Sequence, residues 1–214
     1  DTSFSDYVPS DELPLVQDRY KRRMAGESIP SIYESVLLHK DGNRLEIEYN
    51  VGVIQYGGRP ADLIIVRDIT DRKRVEGDLH LIRKVIESSN EAIGMSDPQR
   101  KHFYQNKAFT DLFGYTAEEL AAKGGGPVVY ADQEVAREVF DTIMLGRSWS
   151  GETEMVSKSG RRFPVFLRAD AVKDDAGEII GLIGIHAEIT ERKQVQEALR
   201  ESEAKYRDLV ERAN

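Results

Sequence analysis

Few residues of this chain could do chemistry: four histidines, one tryptophan and some close acid pairs. His39, His80, His102 and His186 could ligate a metal or move a proton, but no two have the close spacing of metal ligands. Asp174-Asp175 could act as an acid–base pair, yet it runs into Ala176-Gly177 and reads as turn chemistry. Gly146-Arg147-Ser148-Trp149-Ser150 fails the nucleophile-elbow pattern, because its fifth position is Ser. No Gly-rich phosphate loop of the P-loop type occurs. Cysteine is absent, which removes disulfides, thiolate ligands, thiolate catalysis and any photochemistry that needs a cysteine adduct. The residues therefore point away from an enzyme within this stretch.

The elements around them belong to small domains. The 214 residues suffice for one large domain or two small ones. A hydrophobic share of 40% and a charged share of 32% fit small cores joined by solvated helices. The longest apolar run, Ile179 to Ile185, has the length of a buried strand, far short of a bilayer span. A net charge of −8 without a long basic stretch argues against nucleic acid as a partner. The cysteine-free composition fits a cytoplasmic, reducing compartment. Asp1 is not an initiator Met, so the chain is expected to be part of something longer; no signal peptide is visible.

Self-similarity organises the chain. Asp68-Ile69-Thr70-Asp71-Arg72-Lys73 matches Glu188-Ile189-Thr190-Glu191-Arg192-Lys193, 120 positions apart (68 to 188). Gly26-Glu27-Ser28 matches Gly146-Arg147-Ser148 at the same offset, and Lys40 to Arg44 matches Lys158 to Arg162 at 118. One complete copy runs from about 91 to 191, and the first copy supplies only its second half. A third unit is expected to begin at Glu201. The expected domains are 1–72, the half unit; 73–90, a linker helix; 91–191, the complete unit; and 192–214, a second linker helix leading to a further unit.

Within the complete unit, short strands at 91–97 and 101–105 flank a turn at Pro98-Gln99-Arg100. A helix at 106–113 stops at Gly114, and Thr116-Ala117-Glu118-Glu119 has capping-box spacing. Gly124-Gly125-Gly126-Pro127 is expected to be a mobile loop that could serve as a flap. A longer helix from Asp132 to Gly146 carries Val135, Val139, Phe140 and Ile143 on one face. In the strand at 162–172, alternation buries the odd-numbered residues; the counterpart strand buries Leu45, Ile47, Tyr49, Val51 and Val53. The strand at 178–188 is apolar on both faces, which places it at the sheet centre. In the half unit, the equivalent strand would then be an open edge.

This unit resembles a PAS domain. The resemblance rests on Asn106-x-x-Phe109-x-x-Leu112-Phe113-Gly114-Tyr115, Gly146-x-x-Trp149-x-Gly151-Glu152, Gly160-Arg161-Arg162-Phe163-Pro164-Val165 and the closing Glu188-Ile189-Thr190. It implies an α+β fold with a five-stranded antiparallel sheet cupped by short helices, with helical linkers. It also implies a tandem sensory protein, the input region of a sensor histidine kinase or of a diguanylate cyclase. It leaves the ligand open: haem, a flavin, a small metabolite or nothing. Haem is disfavoured because no His lies on the helix at 132–146, so His186, on the central strand, is read as structural or interfacial. The cup would be walled by Phe109, Phe113, Val139, Ile143, Trp149, Met155, Leu167 and Ile185, which either line a small-molecule pocket or simply fill the core. Trp149 could stack on a flavin or pack in the core.

Two junctions complete the expectation. Asp68/Thr70 and Glu188/Thr190 stand where strand becomes helix, and each Thr hydroxyl could cap helix amides. Beyond them, Val75, Leu79, Ile82 and Ile86, and then Val195, Leu199, Ser202, Tyr206 and Leu209, keep heptad spacing. These seams either pair in a homodimer or pack on their own domain. The outer sheet face, where Phe166 replaces Glu48, is a second candidate surface for dimerisation. No membrane contact is expected.

Overall fold

The computed structural model describes the backbone of residues 4–212 and the side chains of residues 4–207. Two compact units divide the chain, Asp1–Ile82 and Arg83–Asn214.

In the first unit, α1 (Leu13–Met24) precedes β1 (Ile32–Leu38), β2 (Arg44–Tyr56) and β3 (Arg59–Asp68), and α2 (Thr70–Ser88) follows. Pro14 is tolerated at the start of α1, where a missing N–H breaks no helical bond. The strands form an antiparallel sheet in the order β1-β2-β3. Gly57 and Gly58, with φ of 58° and 75°, close the β2–β3 hairpin in two residues, a turn that needs left-handed backbone. The core is Ile47, Tyr49 and Val51 on β2, with Tyr33, Leu37 and Leu45 against it. Val53 departs from the expected pattern and is exposed. A 13-residue strand spans roughly 44 Å, whereas the 12-residue α1 spans roughly 18 Å, so the far end of β2 outruns its cover. β3 forms the edge of this sheet, and Leu63 and Ile65 on it are exposed.

The second unit runs β4 (Ala92–Ser96), β5 (His102–Gln105), α3 (Lys107–Phe113), α4 (Ala117–Ala122), α5 (Gln133–Met144), β6 (Trp149–Val156), β7 (Arg162–Lys173), β8 (Ile179–Glu188) and α6 (Thr190–Arg212). Its five strands take the order β5-β4-β8-β7-β6, with every neighbouring pair antiparallel and β8 at the centre. The short helices start where the sequence signals them. Asn106 accepts a bond from Phe109 N, the Thr116/Glu119 capping box closes in both directions, and Asp132 accepts from Glu134 N. Phe113, Leu120, Val139, Ile143, Met155, Phe163, Val165 and Leu167 form the core between helices and sheet.

The glycine run departs from the expected loose loop. Gly126–Val129 forms a 3-10 turn, and Gly125 N donates to Leu120 O at 2.7 Å. A Cβ on Gly125 would fall 2.3 Å from Arg100 O. Gly125 is there because its backbone packs against that of Arg100, and Gly126 beside it lines the cup, so the segment is part of the cup wall.

The two units share a layout at fixed offsets. α1 lies 120 positions before α5 (13 to 133), and β3 ends 120 before β8 (68 to 188). The α1–β1 connection is longer than the α5–β6 one and the β2–β3 turn is shorter than the Asp174–Gly177 turn, so the offset falls to 118 across the paired strands and then returns to 120.

Candidate functional site

The helices and sheet of the second unit enclose a cavity of about 50 Å³. Each buried water needs on the order of 10–15 Å³ of such space, so it admits a few waters or a molecule of a few heavy atoms. Its floor is opened by a glycine pair, Gly94 on β4 opposite Gly184 on β8. A Cβ on Gly94 would stand 2.9 Å from Phe109 and 3.1 Å from His102; one on Gly184 would stand 2.9 Å from the His186 ring. Side chains at these two positions would displace the rings that line the site.

His186 is fully enclosed among those rings. Phe109 and Phe113 meet it edge-on at 5.4 and 5.3 Å between centroids. Its Nδ1 lies 3.0 Å from Ala92 O. A carbonyl only accepts, so Nδ1 carries the proton and Nε2 is left as an acceptor. Burial pushes its pKa down to about 4, the Ala92 bond opposing and His102 reinforcing the shift. His102 is fixed in the other tautomer. Gln105 Nε2 donates to Thr110 Oγ1 and to Tyr115 O, so Gln105 Oε1 accepts from His102 Nε2 at 3.0 Å. Burial lowers its pKa also. Ser96 and Tyr130 complete the polar lining, and burial raises the Tyr130 phenol.

Of the residues expected to wall the cup, Phe109, Val139 and Ile143 line the cavity. Phe113, Met155 and Leu167 are buried in the core behind it. Trp149 packs at the margin and donates from Nε1 to Glu138 Oε1 at 3.0 Å. Ile185 does not line the cavity, a correction to the expected wall: its β8 neighbours Gly184 and His186 do. On a central strand, apolar on both faces, pattern alone does not distinguish the cup side. Ser96, His102, Tyr130 and His186 were not expected in the wall. Glycine inside the apolar strands, at 94 and 184, was the available signal of close approach.

His186 also borders a second, polar groove, of about 530 Å³, with Glu87, Asn90, Arg161 and Glu188. Asn106 gathers the structure here. Its side chain accepts from Ile93 N and Phe109 N and donates to Ile86 O and Glu91 O, all within 2.9–3.0 Å. It thereby ties the last turn of α2 to β4 and α3.

The junctions differ from expectation in detail. Thr70 Oγ1 accepts from Glu46 N at 3.1 Å, and Thr190 Oγ1 donates to Glu188 Oε1 at 2.7 Å. Neither hydroxyl caps helix amides. Each Thr is the first helical residue, so its hydroxyl turns back toward the sheet. Asp68 instead accepts from Thr70 N, and Arg161 holds Glu188 with two bonds. Those partners keep both carboxyls below their ordinary range: Thr70 for Asp68, Arg161 first for Glu188. A clamp unseen in the sequence recurs in both units. Arg72 and Lys73 hold Glu34, and Arg192 and Lys193 hold Glu152. Beyond the junctions, Val75, Leu79, Ile82, Val195, Leu199 and Tyr206 are exposed, and Ile86 is half-buried. The side chain of Leu209 lies outside the described residues, as do residues 213–214 of the second linker.

A family model described as "PAS domain" matches residues 90–191. The match covers a little under half of the chain. The matched stretch has the PAS fold expected of it, a five-stranded antiparallel sheet with helices. The virulence sensor protein BvgS of Bordetella bronchiseptica is 28% identical over 145 residues, covering 64% of this chain and 12% of the relative. BvgS of Bordetella pertussis matches at the same identity and coverage. The chain thus spans about an eighth of these relatives. A solved RNA-binding light-oxygen-voltage receptor matches 93% of this chain and 89% of its own, at 13% identity and a TM-score of 0.50. A PAS domain from Colwellia psychrerythraea covers 53% of this chain and 98% of its own, at 24% identity and a TM-score of 0.46. No helix among the described residues is long and apolar enough to cross a membrane. No group of three His, Asp or Glu among them could hold a metal.

Proposed function

We propose that the second unit is the input and dimerisation module of a longer signalling protein, passing a change in its cup to the helix α6 and to a downstream output. The observation that carries this reading is the position of His186. It is a wall shared by the inner cavity and the polar groove, and Glu188 lies two residues on along the same strand. A ligand or partner that moves β8 therefore moves the Arg161–Glu188–Thr190 contacts at the start of α6. The first unit repeats the acidic residue, the Thr and the basic clamp of this junction, which supports a tandem of such modules. The exposed stripe Val195, Leu199 and Tyr206 supports a helical seam that pairs in a homodimer. The likeness to the BvgS sensors favours a histidine kinase as the output; a diguanylate cyclase would use the same input.

Deleting two residues between Arg192 and Leu199 turns the seam by roughly 200°. In the full-length protein this should invert or abolish control of the output, measured as autophosphorylation with and without the stimulus. Unchanged control would end the lever reading. A ligand-free scaffold that acts through assembly alone is the second reading, favoured by the small size of the cavity. A native mass spectrum separates the two, since a retained small mass demotes the scaffold.

A further inference from the structure

The first unit holds a different site, independent of the reading above. Between α1 and its sheet runs a groove of about 380 Å³, within the roughly 300–1,000 Å³ of small-molecule sites. Leu13, Val16, Tyr20 and Ile64 make its walls apolar. At its base Arg23 Nη1 donates to Asp62 Oδ2 at 2.8 Å, with the two side chains only 9% and 7% exposed. Each keeps one buried atom without a partner among the described residues, Arg23 Nη2 and Asp62 Oδ1. Tyr49 is 1% exposed, and its hydroxyl is likewise unpaired, the phenol pushed up to about 12 by burial first and then by Tyr33 and Glu12.

Such atoms are costly to leave unmade, and the three residues that carry them line one groove. In the second unit the counterparts of Arg23, Asp62 and Tyr49 are Ile143, Leu182 and Leu167, so the fold itself does not require polar groups here. Nothing about packing alone explains an ion pair with half its capacity unused.

We propose that this groove binds a free α-amino acid with an apolar side chain. Arg23 Nη2 offers a donor for the ligand carboxylate, Asp62 Oδ1 an acceptor for its ammonium, and Tyr49 a further donor. The charges around the groove balance. Arg19, over the Tyr33 ring at 4.0 Å with Nη1 also unpartnered, adds a second cation. Glu12, which accepts from Ser35 Oγ at 3.2 Å, adds a second anion. Two cations and two anions match a neutral, dipolar head, whereas a simple anion or amine would leave a buried charge unpaired. The apolar walls take the side chain.

Calorimetric titration of the whole chain with L-leucine, L-valine and L-phenylalanine tests this. At least one should bind, and 4-methylpentanoate and 3-methylbutylamine, which lack the ammonium and the carboxylate, should bind at least tenfold more weakly than leucine. The double variant Arg23→Ile/Asp62→Leu, which installs the apolar pair of the second unit, should keep its melting temperature and lose binding at least tenfold. Tyr49→Phe, which keeps the ring, should weaken binding several-fold without unfolding the chain. Absence of binding by all three amino acids, equal binding of the controls, or unchanged affinity in both variants would overturn the proposal.

Discussion

The two units place the same frame around opposite interiors. Both have a 12-residue helix, a three-stranded meander, an acidic residue and a Thr at the strand-to-helix junction, and a basic pair clamping a strand Glu. Inside, the second unit sets Ile143 and Leu182 where the first sets Arg23 and Asp62. Burying an Ile or Leu stabilises by about 1.5–3 kcal/mol, whereas a buried ion pair about breaks even against its desolvation. The second cup is closed by β4, β5, α3 and α4; the first leaves β3 at an edge. The frame is thus held by hairpins and junction contacts, and the interior is free to be tuned for what it encloses.

The comparison is broken most severely by exchanging interiors. Ile143→Arg alone puts an unpaired guanidinium in the closed cup and should cost about 4 kcal/mol or more in urea unfolding; adding Leu182→Asp should restore much of it. A small loss from the single variant would show that the second cup is as permissive as the first. Asn106→Ala is next. It strands two buried N–H and two C=O groups and should cost about 3 kcal/mol by the same measurement, an effect without counterpart in the first unit.

The third contrast is pH. His186 has a folded pKa below its unfolded value of 6.5, so the unfolded state takes up more protons between about 6.5 and 4. Stability is full above that window and falls as the pH drops through it, by up to about 1.4 kcal/mol per pH unit. His102 acts in the same direction. His186→Val, the residue type of Val66, should remove most of this slope in a series of melts from pH 7 to 5. The smallest effect is at the junctions. Thr70→Val should cost about 1 kcal/mol, since its hydroxyl serves a backbone N–H, and Thr190→Val about 0.5 kcal/mol, since its partner is a carboxylate already held by Arg161.

Periodicity and turn signals were enough to locate the strands, the capped helices and the central position of β8, because each of these is fixed by local chemistry. The repeat located both junctions for the same reason. The inward side of β8 was not legible, since Ile183, Ile185 and Leu182 carry the same signal on both faces. Gly124-Gly125-Gly126 read as looseness because sequence does not show which backbone lies opposite; Arg100 O, 25 residues before Gly125, decides it. The clamp on Glu34 and Glu152 joins residues about 40 positions apart, and exposed ion pairs leave no pattern in composition.

Asn106 has a kinetic consequence. Its contacts span only 3 to 20 residues along the chain, whereas His186 reaches Ala92 across 94. Closing a short loop costs less chain entropy than closing a long one, so this node can assemble while β8 is still unpaired. Stopped-flow refolding of Asn106→Ala should then show a slower folding limb with little change in unfolding, and His186→Val the reverse. The contact that ties linker helix to cup would be among the first structures the unit makes, before the cavity it borders has closed.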